Sequence, residues 1–75
     1  MKLIEAKLNT NCVVASIGIK DEKTKIRLME LGLNVGTSVK VVARSLMKKT
    51  LLVVFNSTCF SLKSDIASEI SVKYA

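Results

Sequence analysis

The thiols of Cys12 and Cys59 and the carboxylates of Asp21, Glu22, Glu30, Asp65 and Glu69 are the groups with which this sequence could hold a metal ion or move a proton. Their types and spacing speak against both. There is no histidine, so the usual zinc and haem ligand sets are missing, and the two cysteines stand far apart instead of as a CxxC pair. Two soft ligands without an imidazole make a poor Fe(II) site, and the carboxylates share no recognisable spacing. No metal site is assigned. The same absences remove a Ser-His or Cys-His nucleophile, a carboxylate dyad and a Walker-type phosphate loop. No catalytic residue and no cofactor are expected, and a domain this small has little room for a pocket. Both cysteines read as small, partly buried hydrophobes.

What remains is surface. Lys and Arg number 12 against 6 Asp and Glu, for a net charge of +6. Such a balance admits nucleic acid, an anionic membrane surface or an acidic protein face as partner. Basic residues cluster at Lys20/Lys23/Lys25/Arg27 and at Lys48-Lys49, and no aromatic lies among them to stack a base. The plain reading of the charge is therefore solubility for a very apolar small domain, with nucleic acid kept as an alternative. The 75 residues allow one domain, 1–75. Half of them are hydrophobic (49%), which argues against disorder. The longest apolar run, Leu51 to Phe55, suits a buried strand and is far short of the ~20 residues of a membrane span. Glu5 comes too early for a signal peptide, so a cytoplasmic location without membrane insertion is expected.

The elements that must position these surfaces can be read from periodicity and punctuation. Asn9-Thr10-Asn11 is a turn, because Asn tolerates left-handed dihedrals, and Cys12–Ile17 follows as a strand. Asp21 is a good N-cap for a helix ending at Leu31, and Gly32 suits the left-handed position beyond it. At 100° per residue Thr24, Leu28 and Leu31 share one face and Ile26 and Met29 another; a helix on a small barrel buries only one stripe. Asn34-Val35-Gly36-Thr37 is a turn into a strand over 39–44, whose alternation places Val39, Val41 and Ala43 on one face and Lys40, Val42 and Arg44 on the other. After a polar loop at 45–49, Thr50–Phe55 and Thr58–Leu62 form a hairpin around Asn56-Ser57. In it Leu51, Val53, Phe55, Phe60 and Leu62 face inward, and Leu52, Val54, Cys59 and Ser61 outward. One helical turn at 64–67 and a strand at 70–72 follow. Five short antiparallel strands with one helix inserted after the first predict a mainly β fold, a small, partly open SH3-like barrel.

The stretch from Arg27 to Val39, Arg-Leu-Met-Glu-Leu-Gly-Leu-Asn-Val-Gly-Thr-Ser-Val, resembles the central motif of the ferrous iron transport protein A (FeoA) family: an Arg-Leu, a Leu-Gly-Leu, a turn glycine and an alternating valine strand. Ala6-Lys7-Leu8-Asn9 stands where the family has a Leu-Lys-Pro-Gly turn, and 62–72 resembles the family's ending. The chain departs where Asn9, Lys48 and Ser57 replace usual glycines, and where Val42, Leu52 and Val54 take outward positions that the family tends to keep polar. The motif's physics is structural, with Leu28 and Leu31 expected to anchor the helix, Gly32 to stop it, Leu33 to pack back on the core and Gly36 to make the turn.

The resemblance implies a stand-alone accessory domain of bacterial ferrous iron uptake, acting by contact with the cytosolic GTP-binding domain of a membrane iron transporter, and not an enzyme. Two faces are candidates for that contact: Ile26 and Met29 on the helix, and Val42, Leu52 and Val54 with Cys59 on the sheet. The alternative for the sheet face is that the helix or Leu3-Ile4 covers it, and for the helix pair that Ile26 or Met29 belongs to the core. An apolar outer sheet also admits a homo-oligomer. A small basic nucleic-acid-binding or regulatory module of the same barrel shape remains the alternative function.

Overall fold

The hairpin at the centre of the chain organises the sheet. In the computed structural model, which describes residues 1–45, 47 and 49–75, β1 (Asn11–Ile17), β2 (Ser38–Arg44), β3 (Thr50–Phe55), β4 (Thr58–Lys63) and β5 (Ile70–Tyr74) pair in the order β4-β3-β2-β1-β5, all antiparallel. The fold is the expected one: a mainly β, five-stranded sheet with α1 (Glu22–Glu30) after the first strand and the single turn α2 (Ser64–Ala67) before the last. A short 3-10 segment, Leu3–Glu5, precedes β1 and was not expected. Leu46 and Lys48 of the 45–49 loop lie outside the described residues.

Alternation along the strands builds the core, because successive side chains of a strand face opposite sides. Cys12, Val14, Val39, Val41, Leu51, Val53, Phe55, Leu62, Ile70 and Val72 all point inward and are buried. Phe55 and Phe60 stack with ring centroids 4.2 Å apart. Leu3 is fully buried and Ile4 packs against the same core. Arg44 secures this segment by donating to the carbonyl of Ile4 at 3.0 Å and to that of Ala6.

Two expectations fail for identifiable reasons. The register of β2 against β3 shifts between Val41 and Ala43, so Ala43 stands opposite Leu52 and Arg44 opposite Leu51. The bulge therefore exchanges the faces that simple alternation assigns to Ala43 and Arg44, and Arg44 reaches the 3-10 segment because of it. The second concerns the helix anchors. Leu28 is buried at 6% exposure, whereas Leu31 is 39% exposed. Asp21 caps the helix through the N–H of Lys23, as expected. At its other end, the N–H of Leu33 donates to the carbonyl of Leu28 at 2.9 Å and that of Gly32 to Met29 at 3.1 Å. This is a Schellman ending, in which the residue after the glycine packs on the helix. Gly32 holds φ 111°, the chain reverses, and Leu33, fully buried, takes the core position that the wheel assigns to Leu31.

Gly36 does make the expected turn. At φ 91° it occupies the third position of Asn34–Thr37, closed by the Thr37 N–H to the Asn34 carbonyl at 3.0 Å, and its own N–H donates to Val14 at 2.8 Å. The turn is thus sewn to β1. In the β3–β4 hairpin Asn56 (φ 52°) and Ser57 (φ 57°) are both left-handed, the backbone of a two-residue primed turn.

Candidate functional site

Cross-strand partners share a face, so the sheet register defines the outer surface without further assumption. Lys40, Val54 and Cys59 form one transverse row on it, and Ala43, Leu52 and Ser61 the next. Leu52 is 42% exposed, Cys59 is exposed and Val54 is half-buried. Leu3 and Ile4 belong to the core, so they do not cover this face. The sheet thus brings together Leu52, Val54 and Cys59 as expected, but not Val42. That residue sits half-buried in the bulge with no opposite residue in the ladder, and Ala43 takes the place beside Leu52.

On α1, Ile26 is 51% exposed and Met29 42%, one turn apart on the side away from buried Leu28. They form a separate apolar patch on another element. Sequence reasoning did not single out Val35, 67% exposed beside Gly36, or Met47, 74% exposed in the 45–49 loop. Isolated apolar residues in loops carry no periodic signal that would have marked them.

The electrostatics of the two layers differ. Every charged residue in the five strands is basic: Lys40, Arg44, Lys63 and Lys73. All six carboxylates lie in the helical segments and their flanks, and several serve backbone groups there. Asp21 accepts from the N–H of Lys23 at 3.3 Å and the hydroxyl of Thr24 at 2.7 Å. Glu5 accepts from the N–H of Lys2 at 2.8 Å, and Glu69 from that of Lys20 at 3.1 Å. Such carboxylates are fold elements. Among the described residues no three of His, Cys, Asp and Glu stand together as a group that could hold a metal ion.

The cysteines also divide. Both are free. Cys12 is buried beneath β1 with its thiol 3.6 Å from the Thr10 carbonyl, and burial pushes its pKa up. It stays a neutral thiol, the hydrophobe it was expected to be. Cys59 is exposed on β4, so the reading of it as partly buried does not hold: its outward position on an edge strand has no second layer above it.

Comparison with known proteins fits this geometry. A family model described as FeoA domain matches residues 1–74. A search of curated proteins finds no match. Among solved structures, the FeoA protein from Chlorobium tepidum superposes with a TM-score of 0.92 at 28% identity, over 99% of this chain and 70% of that one. FeoA from Stenotrophomonas maltophilia, complexed with zinc and described as a prokaryotic SH3 domain protein and candidate ferrous iron transport activating factor, gives 0.82 at 33% identity, over 97% of this chain and 89% of that one. A manganese-dependent transcriptional repressor shares the fold alone, with a TM-score of 0.88 at 21% identity over all of this chain and 41% of the repressor. With its model matched from residue 1 to 74 and its SH3-like sheet and inserted helix reproduced in these relatives, the chain belongs to the FeoA domain family, which is associated with ferrous iron transport.

Proposed function

We propose that this domain is a cytosolic accessory protein of bacterial ferrous iron uptake. It works by binding rather than by catalysis, and its partner is the cytosolic GTP-binding domain of a membrane iron transporter. The observation that carries the reading is the outer sheet face, where exposed Leu52 lies between Ala43 and Ser61, next to the Val54–Cys59 row. The only charges on the strands around it are cationic. Contiguous apolar surface rimmed by polar residues marks protein contacts, and a one-sign rim steers an oppositely charged partner and sets its on-rate. The description of the Stenotrophomonas relative as a candidate transport activating factor agrees with an accessory role. No helix among the described residues is long and apolar enough to cross a membrane.

A second contact face is supported by the exposure of Ile26 and Met29 on α1, an apolar pair between Lys25 and Arg27. The test is a pull-down of the purified domain against the transporter's GTP-binding domain, with Leu52→Thr/Val54→Thr and Ile26→Ser/Met29→Ser compared. Threonine is at home in a strand, so the first double variant keeps the fold. Loss of binding in the first alone assigns the sheet face, and loss in the second alone assigns the helix. No binding by the unaltered domain, together with salt-sensitive retention on heparin or DNA, would transfer the function to nucleic acid.

A further inference from the structure

The sheet ends at β4, and its outer edge is open. The two-residue turn makes Phe55 and Thr58 a hydrogen-bonded pair, so bonded pairs recur at Val53/Phe60 and Leu51/Leu62. The N–H of Ser64 donating to the Lys49 carbonyl at 2.8 Å continues the same phase. The main-chain N–H and C=O groups of Cys59 and Ser61, and the N–H of Lys63, therefore point away from β3. The opposite edge is not open in this way, since the N–H of Val72 in β5 donates to the carbonyl of Met1 at 2.8 Å.

Thr24, Arg27 and Leu28 of α1 lie near the Ser61–Lys63 end of β4. Between them lies a groove of about 400 Å³. Leu28, Leu62 and Ile66 line it with apolar surface, and Arg27 and Lys63 line it with charge. Neither Arg27 nor Lys63 has an ion-pair partner among the described residues. Asp21 also borders the groove, but its two oxygens are engaged by Lys23 and Thr24.

We propose that the groove between α1 and β4 receives an extended, acidic segment of the partner protein, which pairs with β4 as a sixth strand. Unpaired edge groups, an apolar floor and a flanking helix are the parts of strand-addition recognition. Main-chain bonds to Cys59 and Ser61 supply affinity. Alternate residues of the incoming strand face the floor, and its carboxylates meet Arg27 and Lys63. Charge complementarity selects this occupant: a second copy of the chain would bring basic strands to a basic edge. The inference rests on the reading of the domain as a partner-binding protein and adds the chemistry of the partner's segment.

The test uses the whole domain labelled with 15N and a blocked seven-residue peptide of alternating valine and glutamate, with lysine in place of glutamate as control. The acidic peptide is expected to shift the amides of Cys59, Ser61 and Lys63 and to slow their hydrogen exchange, and the basic peptide to leave them unmoved. Ser61→Pro removes an outward N–H that no internal ladder bond uses, in a position where proline is tolerated. It should weaken peptide binding about five- to tenfold, the worth of one hydrogen bond. Arg27→Gln/Lys63→Gln, which leaves the backbone intact, should lower affinity and flatten its salt dependence. Three results would overturn the proposal: shifts confined to Leu52 and Val54 or to Ile26 and Met29, equal binding by Ser61→Pro, or edge shifts that follow protein concentration without peptide. Stronger shifts of the same amides by a single-stranded oligonucleotide would replace the acidic segment as occupant. Retained capture of the GTP-binding domain by Ser61→Pro would discard the edge while leaving the accessory role standing.

Discussion

Ser57 holds φ 57° in the β3–β4 turn, a conformation in which a Cβ crowds the carbonyl oxygen. For an ordinary residue this costs about 1–2 kcal/mol, and glycine escapes it. Replacing Ser57 by glycine removes that cost from the folded state. It also frees the unfolded chain, which takes back about 0.4–1 kcal/mol. The side chain of Ser57 makes no hydrogen bond among the described residues, so nothing else is lost. The net expectation is a gain of about 0.5–1 kcal/mol, or roughly 2–8 °C in Tm for a domain of this size. Asn56 serves as the internal control. It too is left-handed (φ 52°), but its Nδ2 donates to the carbonyl of Leu31 at 3.2 Å, tying the hairpin to the end of α1. Asn56→Gly forfeits that bond, about 1 kcal/mol, and should show no gain. Thermal and urea unfolding of the two variants, with m-values compared, measures both. A Ser57→Gly protein no more stable than the parent at unchanged m would refute the argument that this turn is strained.

Further expectations follow from burial and register. Leu28→Ala should cost about 2–4 kcal/mol and Leu31→Ala less than about 1 kcal/mol, since only the first empties core volume; urea melts separate them. Arg44→Ala removes the donor to the carbonyls of Ile4 and Ala6. It should cost about 1–3 kcal/mol and speed hydrogen exchange near the 3-10 segment first. Cys12 has its pKa raised by burial, so the unfolded chain ionises at lower pH than the folded one. Stability from this group is complete below the unfolded thiol value of about 8.5 and declines as pH rises beyond it. Denaturant midpoints measured from pH 7 to 10 should fall less steeply in Cys12→Val.

The strands and their inward residues were legible because Thr50–Phe55 and Thr58–Leu62 alternate cleanly around an Asn-Ser turn. The same alternation correctly exposed Leu52. It failed at Val41-Val42-Ala43, where three apolar residues in a row give no sign that one is extra. Only the pairing with β3 reveals the bulge, and with it the displacement of Val42 from the outer row and the inward turn of Arg44. The helical wheel placed Leu28 correctly and misplaced Leu31, because a wheel assumes that the helix continues, whereas Gly32 reverses the chain and hands the core contact to Leu33. The 3-10 segment was invisible, since three residues carry no period and Leu3 is held by tertiary packing. The open edge of β4 was out of reach for a different reason: which strand ends the sheet depends on β1 lying between β2 and β5, a fact of topology and not of local pattern.

That topology also governs the order in which the molecule can be assembled. β1 is synthesised well before one of its two neighbours, β5: Cys12 stands opposite Tyr74 and Ile17 opposite Ile70. Met1 and Lys2 wait equally long for Val72 and Ser71. The β3–β4 hairpin, whose strands are joined by two residues, can form at once. Contacts between residues far apart in sequence slow folding, so the rate should be set by the docking of β5 onto β1. Until that event, β1 offers an unpaired, valine-rich edge to any other nascent chain, and aggregation during expression should be most sensitive to changes in β5.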